Sequence, residues 1–174
     1  AAGEDGPKLS PGGLIATCIL LLNAGHEATV HTLGNGVKTL LAHGGLTSDA
    51  ETVEEILRYD PPLHMFTRYA YEDITLFEHN FKRGDQVALL LASSGRDSAQ
   101  WASAEVFDPT RKITTNHAFG GGAHFCVGAP LARLELLIAL QTLQARCPNL
   151  RSTEPSEYAN LYHFHGLKTL MVKA

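Results

Sequence analysis

The chain has 174 residues, 44% of them hydrophobic and 18% charged, with a formal net charge of −4. By size and composition this is a single globular domain, and the negative balance excludes nucleic acid or an anionic membrane surface as an expected partner. Three cysteines, Cys18, Cys126 and Cys147, are an odd number at wide spacing, which predicts a reducing, cytoplasmic compartment rather than a disulfide framework.

The longest uninterrupted apolar run lies near residues 14–22. It falls short of the roughly 20 residues that a spanning helix needs, so no membrane partner is expected. The polar start, AAGEDGPKLS, predicts no signal peptide. Ala1 in place of Met predicts a processed terminus or a piece of a longer chain.

Taken in order, residues 1–13 read as a loop punctuated by glycine and proline. A long helix is expected over about 14–43. Its first half is apolar nearly all round, which predicts burial on all sides. Gly25 sits inside it and either opens space against the helix or permits close helix packing. Gly44 and Gly45 break the pattern. A short helix follows over about 49–59, capped by Thr47 or Ser48, with Val53, Ile56 and Leu57 on one face. Asp60-Pro61-Pro62 stops it.

Period-2 stretches at 66–71, 74–77 and 86–91 predict a small antiparallel sheet over about 66–91. Residues 93–118 form a loop-rich meander, long enough to require pinning by specific contacts. A glycine loop at 119–128 leads into a helix over about 127–146, with Pro130 in its first turn. Leu131, Leu134, Leu137, Ile138 and Leu140 are expected on its buried face. Short strands around a turn at Gly166 complete the chain over 158–174. The expected class is mainly α with small antiparallel β-sheets (α+β).

The chemistry concentrates at Phe119–Glu135, FGGGAHFCVGAPLARLE. Glycines allow close backbone approach to a ligand. A helix begins right behind Cys126, and helix N-termini favour negative charge. A cysteine in that position suits the role of an anionic sulfur ligand. A buried inert cysteine is the plain alternative. A zinc site from His117, His124 and Cys126 lacks a fourth ligand and the usual spacing. A phosphate loop lacks a following G-K-[ST]. A nucleophilic Cys–His pair lacks an acidic orienter. An axial thiolate to a haem iron fits the single sulfur and the glycine-lined approach.

The string Phe119-x-x-Gly122-x-His124-x-Cys126-x-Gly128 closely resembles the haem-binding signature of the cytochrome P-450 monooxygenases. Its extension, Gly128-Ala129-Pro130-Leu131-Ala132-Arg133-x-Glu135, is similar to the soluble bacterial branch. Glu55-Ile56-Leu57-Arg58 resembles the family's E-x-x-R motif, and Ala24-Gly25-His26-Glu27 resembles the A-G-x-[DE] part of its long distal helix. The strings at 60–62, 95–97, 107–111 and 165–167 also fall in the family's order.

The resemblance implies the C-terminal, haem-binding portion of that fold, holding haem b (iron protoporphyrin IX) with O2 as co-substrate. Cys126 would be the metal ligand. His124 and Arg68 would bind the haem propionates. Phe119, Gly120, Gly128, Ala24 and Gly25 would contact the cofactor. Glu27, Ala28 and Thr29 would occupy the catalytic segment beside the oxygen site. Glu55, Arg58 and Arg111 would form a structural ion-pair triad. Leu63, Met65, Phe66 and Phe164 would touch a small apolar substrate. Electrons would come from a ferredoxin- or flavodoxin-like donor.

Three departures from the family pattern stand out. Ala28 occupies the place where the family has threonine, with Thr29 one residue on. The link from His43 to Glu55 is short by roughly two helical turns. The family's first half is not represented, which predicts self-association through uncovered apolar surface. The competing expectation is a catalytically incompetent fragment, haem-binding or haem-free, acting as an interaction module. An electron-transfer haem protein is a further alternative; it would have no open site for carbon monoxide.

Overall fold

The computed structural model describes residues 8–174. Part of the loop expected over 1–13 lies outside these residues. From Pro11 the chain is already helical: α1 runs Pro11–Ala42, with Pro11 in its first turn and Ser10 capping it by accepting from Gly13 N. The sequence pattern predicts a start at Leu14, because glycines at 12 and 13 read as breakers. The Ser10 cap and the proline outweigh them.

Helix α2, Ala50–Tyr59, is capped by Asp49, whose carboxylate accepts from Thr52 N at 2.7 Å. The cap is therefore not Thr47 or Ser48. Thr47 and Thr52 instead bond to each other through their hydroxyls. Val53, Ile56 and Leu57 are buried and pack with Val37, Leu40, Phe107, Leu136 and Leu140 in one core. α1, α2 and α4 (Ala129–Arg146) enclose that core.

Gly36 is the close-packing glycine of α1: a Cβ there would stand 2.9 Å from Ile56. Gly25 is different, since a Cβ there would meet nothing within 4 Å. Close helix packing is therefore not its role.

The region 65–90 is two separate two-stranded sheets rather than one small sheet. Strand β1 (Met65–Tyr69) pairs antiparallel with β4 (Gln86–Leu90), and β2 (Ile74–Leu76) pairs with β3 (His79–Phe81). The β2–β3 turn uses Phe77 and Glu78, both at positive φ. That geometry is usual for a two-residue hairpin but unusual for these residue types, which is why β3 carries no sequence signal. A one-turn helix, α3 (Leu91–Ser94), follows.

After α4 the strands begin at 151, ahead of the expected 158. Strand β5 (Arg151–Ser152) pairs with β8 (Val172–Lys173), and β6 (Glu157–Tyr158) pairs with β7 (Leu167–Thr169). Gly166 does not make a tight turn between them. It lies against His31, where a Cβ would fall 1.9 Å from Nδ1.

Burial on all sides of α1 does not hold. Its buried residues lie between Thr32 and Leu40. Its first half is open, with Leu20 at 64% and Leu22 at 76% exposure. The helices and strands that pack on α1 are α2, α4, β5 and β7. α4 likewise buries Ala129, Leu136 and Leu140, while Leu131, Leu134 and Ile138 are exposed. Its apolar residues are spread round the helix, and only one side meets α1 and α2. By length and hydropathy alone α1 could cross a membrane; no other described helix meets that test.

One prediction arises from this packing. A Cβ on Gly95 would lie 2.3 Å from the Arg58 carbonyl oxygen. Backbone cannot yield there cheaply, so Gly95→Ala is expected to cost about 3 kcal/mol as overpacking. Gly34 in α1 has open space at its Cβ position. Gly34→Ala is expected to stabilise by up to about 1 kcal/mol through helix propensity. Urea denaturation of the two variants should show opposite shifts in midpoint.

Candidate functional site

A cavity of about 630 Å³ lies between α1, the Cys126 loop and α4. Its size falls within the range of ligand pockets. From α1 come Leu20, Ala24, Gly25, Ala28, Thr29 and Thr32. From the loop come Ala118, Phe119, His124, Cys126 and Gly128. The first turns of α4 add Leu131, Ala132, Glu135 and Leu136. Leu57, Pro62, Leu63 and Phe66 line a further side with His163 and Phe164. The lining is predominantly apolar, with one thiol.

The loop is shaped by Gly120 and Gly122, at φ 72° and 65°. Those values favour glycine. They let Cys126 N donate to Phe119 O at 3.1 Å, closing the loop on itself. Gly120 therefore turns the chain and is not among the lining residues, unlike the cofactor contact expected of it. Cys126 is exposed, and Cys126 O accepts from Ala129 N at the start of α4. A Cβ at position 128 would lie 3.8 Å from the sulfur. Phe119 packs edge-on to Phe125, and the Arg133 guanidinium stands 4.6 Å from the Phe119 ring centroid. Arg133 also pairs with Glu54 of α2.

The α1 segment divides. Ala24, Gly25, Ala28 and Thr29 line the cavity, whereas Glu27 lines a shallow groove on another side of the helix with His26 and His31. Glu27 lies 3.7 Å from His31. Residues two apart on a helix are about 200° apart, so Glu27 and Thr29 cannot share a face. The Thr29 hydroxyl donates back to Gly25 O at 3.4 Å. Thr32, not anticipated from the sequence, adds a second cavity hydroxyl, donating to Ala28 O at 2.7 Å. It lies one helical turn beyond Ala28, a spacing that could have flagged it.

Leu63 and Phe164 pair in an antiparallel bridge, and both line the cavity with Phe66. Met65 is half-buried and is not in the lining. Arg68 lies on exposed β1, donating to Thr67 O at 2.9 Å with its guanidinium 6.0 Å from the Phe66 ring; it does not line the cavity either. His163 and Leu20 are lining residues with no motif to announce them.

Behind the loop, Glu55 and Arg58 are buried and doubly bonded: Nε to Oε2 and a terminal nitrogen to Oε1, each 2.7 Å. Arg58 also donates to the carbonyls of Gly95, Ala104 and Val106. Glu55 accepts from Asp108 N at 2.8 Å, and Arg111 Nε approaches it to 3.4 Å. Arg111 donates in turn to the carbonyls of Ala102, Ser103 and Val106. These bonds pin the loop-rich stretch between α3 and α4 to α2.

His117, His124 and Cys126 do not converge as a ligand set. Among the described residues the one such set is Asp60, His64 and His165. Partial desolvation lowers the pKa of both imidazoles, opposed in part by the nearby Asp60. Burial, together with donation to Asp60, pushes the Tyr158 phenol up.

The cytochrome P450 family model matches residues 50–148. The chain belongs to the cytochrome P450 family. It is 39% identical to the biotin biosynthesis cytochrome P450 of Bacillus subtilis (strain 168), over 98% of this chain and 45% of that protein. It is 38% identical to the cytochrome P450 monooxygenase PikC of Streptomyces venezuelae, over 98% of this chain and 44% of that one. A crystal structure of P450BioI with an acyl carrier protein bearing hexadec-9Z-enoic acid superposes with a TM-score of 0.89 at 38% identity. That match covers 96% of this chain and 46% of the other. The chain thus spans somewhat under half the length of these P450 relatives, and its mix of helices and small antiparallel sheets is a partial P450 fold.

The cavity fits the family's cofactor. It offers a single sulfur rather than a closed set of metal ligands, apolar walls for a macrocycle, and open space where a side chain at Gly25 would project.

Proposed function

We propose that this chain is the haem-binding portion of a cytoplasmic haem-thiolate monooxygenase. The observation that supports it most is the lone Cys126 thiol opening into an apolar cavity walled by Gly25 and Ala28. When bound, haem b supplies the iron at which O2 is activated, and a thiolate ligand favours O–O cleavage.

The chain's own residues do the rest. Cys126 Sγ would hold the iron, and Gly128 keeps the space beside the sulfur clear. His124, in the lining, would pair with a propionate, and Arg68 would pair with the other once its side chain turns from Thr67 O, as buried or half-buried carboxylates require. Leu63, Phe66 and Phe164 would hold a small apolar substrate and exclude water. The Thr29 and Thr32 hydroxyls would carry protons, with Ala28 leaving room for a water between them. Glu27 would relay protons from solvent rather than touch the reacting atoms.

The overall reaction would place one oxygen atom in a C–H bond of the substrate and release the other as water. Two electrons from a ferredoxin- or flavodoxin-like donor and two protons from solvent balance it. In this reading α1 is a core helix, because its small residues and two threonines line a ligand cavity.

The test is haem titration of the full chain followed by addition of small apolar compounds. One haem per chain and a saturable substrate-induced shift of the Soret band are expected. A bound haem that responds to no apolar ligand would contradict the substrate site.

The second reading, a catalytically incompetent interaction module, draws on one observation: the exposed apolar side chains of α1 from Leu14 to Leu22. It predicts self-association in sedimentation velocity and no product in a reconstituted turnover assay.

A further inference from the structure

We propose that Asp60, His64 and His165 form a binding site for a divalent transition metal of the zinc class, on the outer side of the cavity wall. The three come from separate segments: the C-cap of α2, the approach to β1 and the approach to β7. Their ligand atoms all lie within 4.8 Å of one another.

Asp60 Oδ1 and His165 Nε2 are 3.3 Å apart. Donors in a tetrahedral zinc site stand about 3.4 Å apart, given bonds of about 2.0–2.2 Å. His64 is exposed, with its ring 4.2 Å from that of His165, so a side-chain rotation closes the set. Two imidazoles and one carboxylate suit zinc and its neighbours. Magnesium and calcium prefer oxygen donors alone. Three protein ligands leave a fourth position for water.

The surroundings hold this set in place, as outer partners do at metal sites. Asp60 Oδ2 accepts from the Tyr158 hydroxyl at 2.6 Å, and that hydroxyl accepts from Lys38 Nζ at 2.8 Å. The side chain of Asn35 is fully buried, and its amide donates to His165 O at 2.8 Å and to Asp60 O at 3.4 Å. Two ligands are thus fixed through their backbones by one residue of α1. The cations nearby, Lys38 and Arg96, are engaged with Tyr158 and with Tyr59 O and Glu105.

The site has a consequence for the cavity. Leu63 and Phe164 are bridged and line the cavity, and His64 and His165 directly follow them. Side chains alternate in extended chain, so the histidines lie on the other side of the bridge. Metal binding would therefore lock the segments that carry Leu63 and Phe164, and slow exchange of any cavity ligand.

The metal site stands independently of the haem reading. The experiment is titration of the full chain with ZnCl2 alone by calorimetry, with MgCl2 as comparison and CoCl2 as an optical probe. One zinc per chain is expected, with no magnesium binding. Cobalt should give d–d bands without a sulfur charge-transfer band. His64→Ala, at an exposed position, and His165→Gln should each weaken zinc at least tenfold. His26→Ala should not. Circular dichroism confirms that each variant is folded. Absence of one-to-one zinc binding would overturn the proposal. So would wild-type affinity in His64→Ala, or a sulfur charge-transfer band, which would assign the metal to a cysteine.

Discussion

Cys126→Ser is expected to weaken haem binding by more than about 100-fold, beyond the 10–100-fold typical of losing an outer-shell partner. Any residual complex should lack a thiolate-type spectrum. A serine hydroxyl is a hard, weakly acidic oxygen, whereas a thiolate is a soft anionic ligand. Cys18 lies on exposed α1 and Cys147 caps the end of α4; neither lines the cavity. No other thiol lines the cavity to replace Cys126. Cys18→Ser should titrate with haem like the parent chain. An unchanged spectrum in Cys126→Ser would move the ligand elsewhere.

Arg58→Ala is expected to lower stability by about 3–5 kcal/mol, because it strands a buried carboxylate. Glu55 would keep Arg111 at 3.4 Å but lose both 2.7 Å bonds. The carbonyls of Gly95, Ala104 and Val106 would lose a donor at the same time. Domains have total stabilities of about 5–15 kcal/mol, so this variant should lose a large share of its stability. The Glu54–Arg133 pair provides the contrast. Its side chains are 24% and 35% exposed. Glu54→Gln should cost only about 1 kcal/mol, as for a partly solvated pair. Chemical denaturation of both variants separates the cases. Similar losses in the two would mean that burial does not set the energetics of the Glu55–Arg58 pair.

These two sites were also the most legible ones in the sequence, for a physical reason. Close approach and charge pairing each demand specific residue types at fixed spacing. A glycine loop ending in Cys126 before a helix suits a close-approach ligand, whereas Glu55 and Arg58 at i, i+3 read by spacing alone as solvated helix charges and are marked as a pair by the resemblance to the E-x-x-R motif. The exposure of α1 was not legible. Apolar residues report a need for burial, not whether neighbours are present to meet it. Strand β2 was expected, but its turn and its partner β3 were hidden because Phe77 and Glu78 take positive φ without glycine or asparagine. Asp60, His64 and His165 meet only through tertiary contacts, with His165 about a hundred positions on from the other two. Glu27 shows the converse: its place in the A-G-x-[DE] string is clear, yet it does not line the cavity, and neither does Arg68.

The most direct test of Cys126 as the haem ligand is the absorption spectrum of the haem-loaded chain, reduced and then exposed to carbon monoxide. A carbonyl complex with the red-shifted Soret band of thiolate ligation is the predicted result, lost in Cys126→Ser. A carbonyl band at the position given by imidazole ligation, or no carbonyl complex at all, would contradict it.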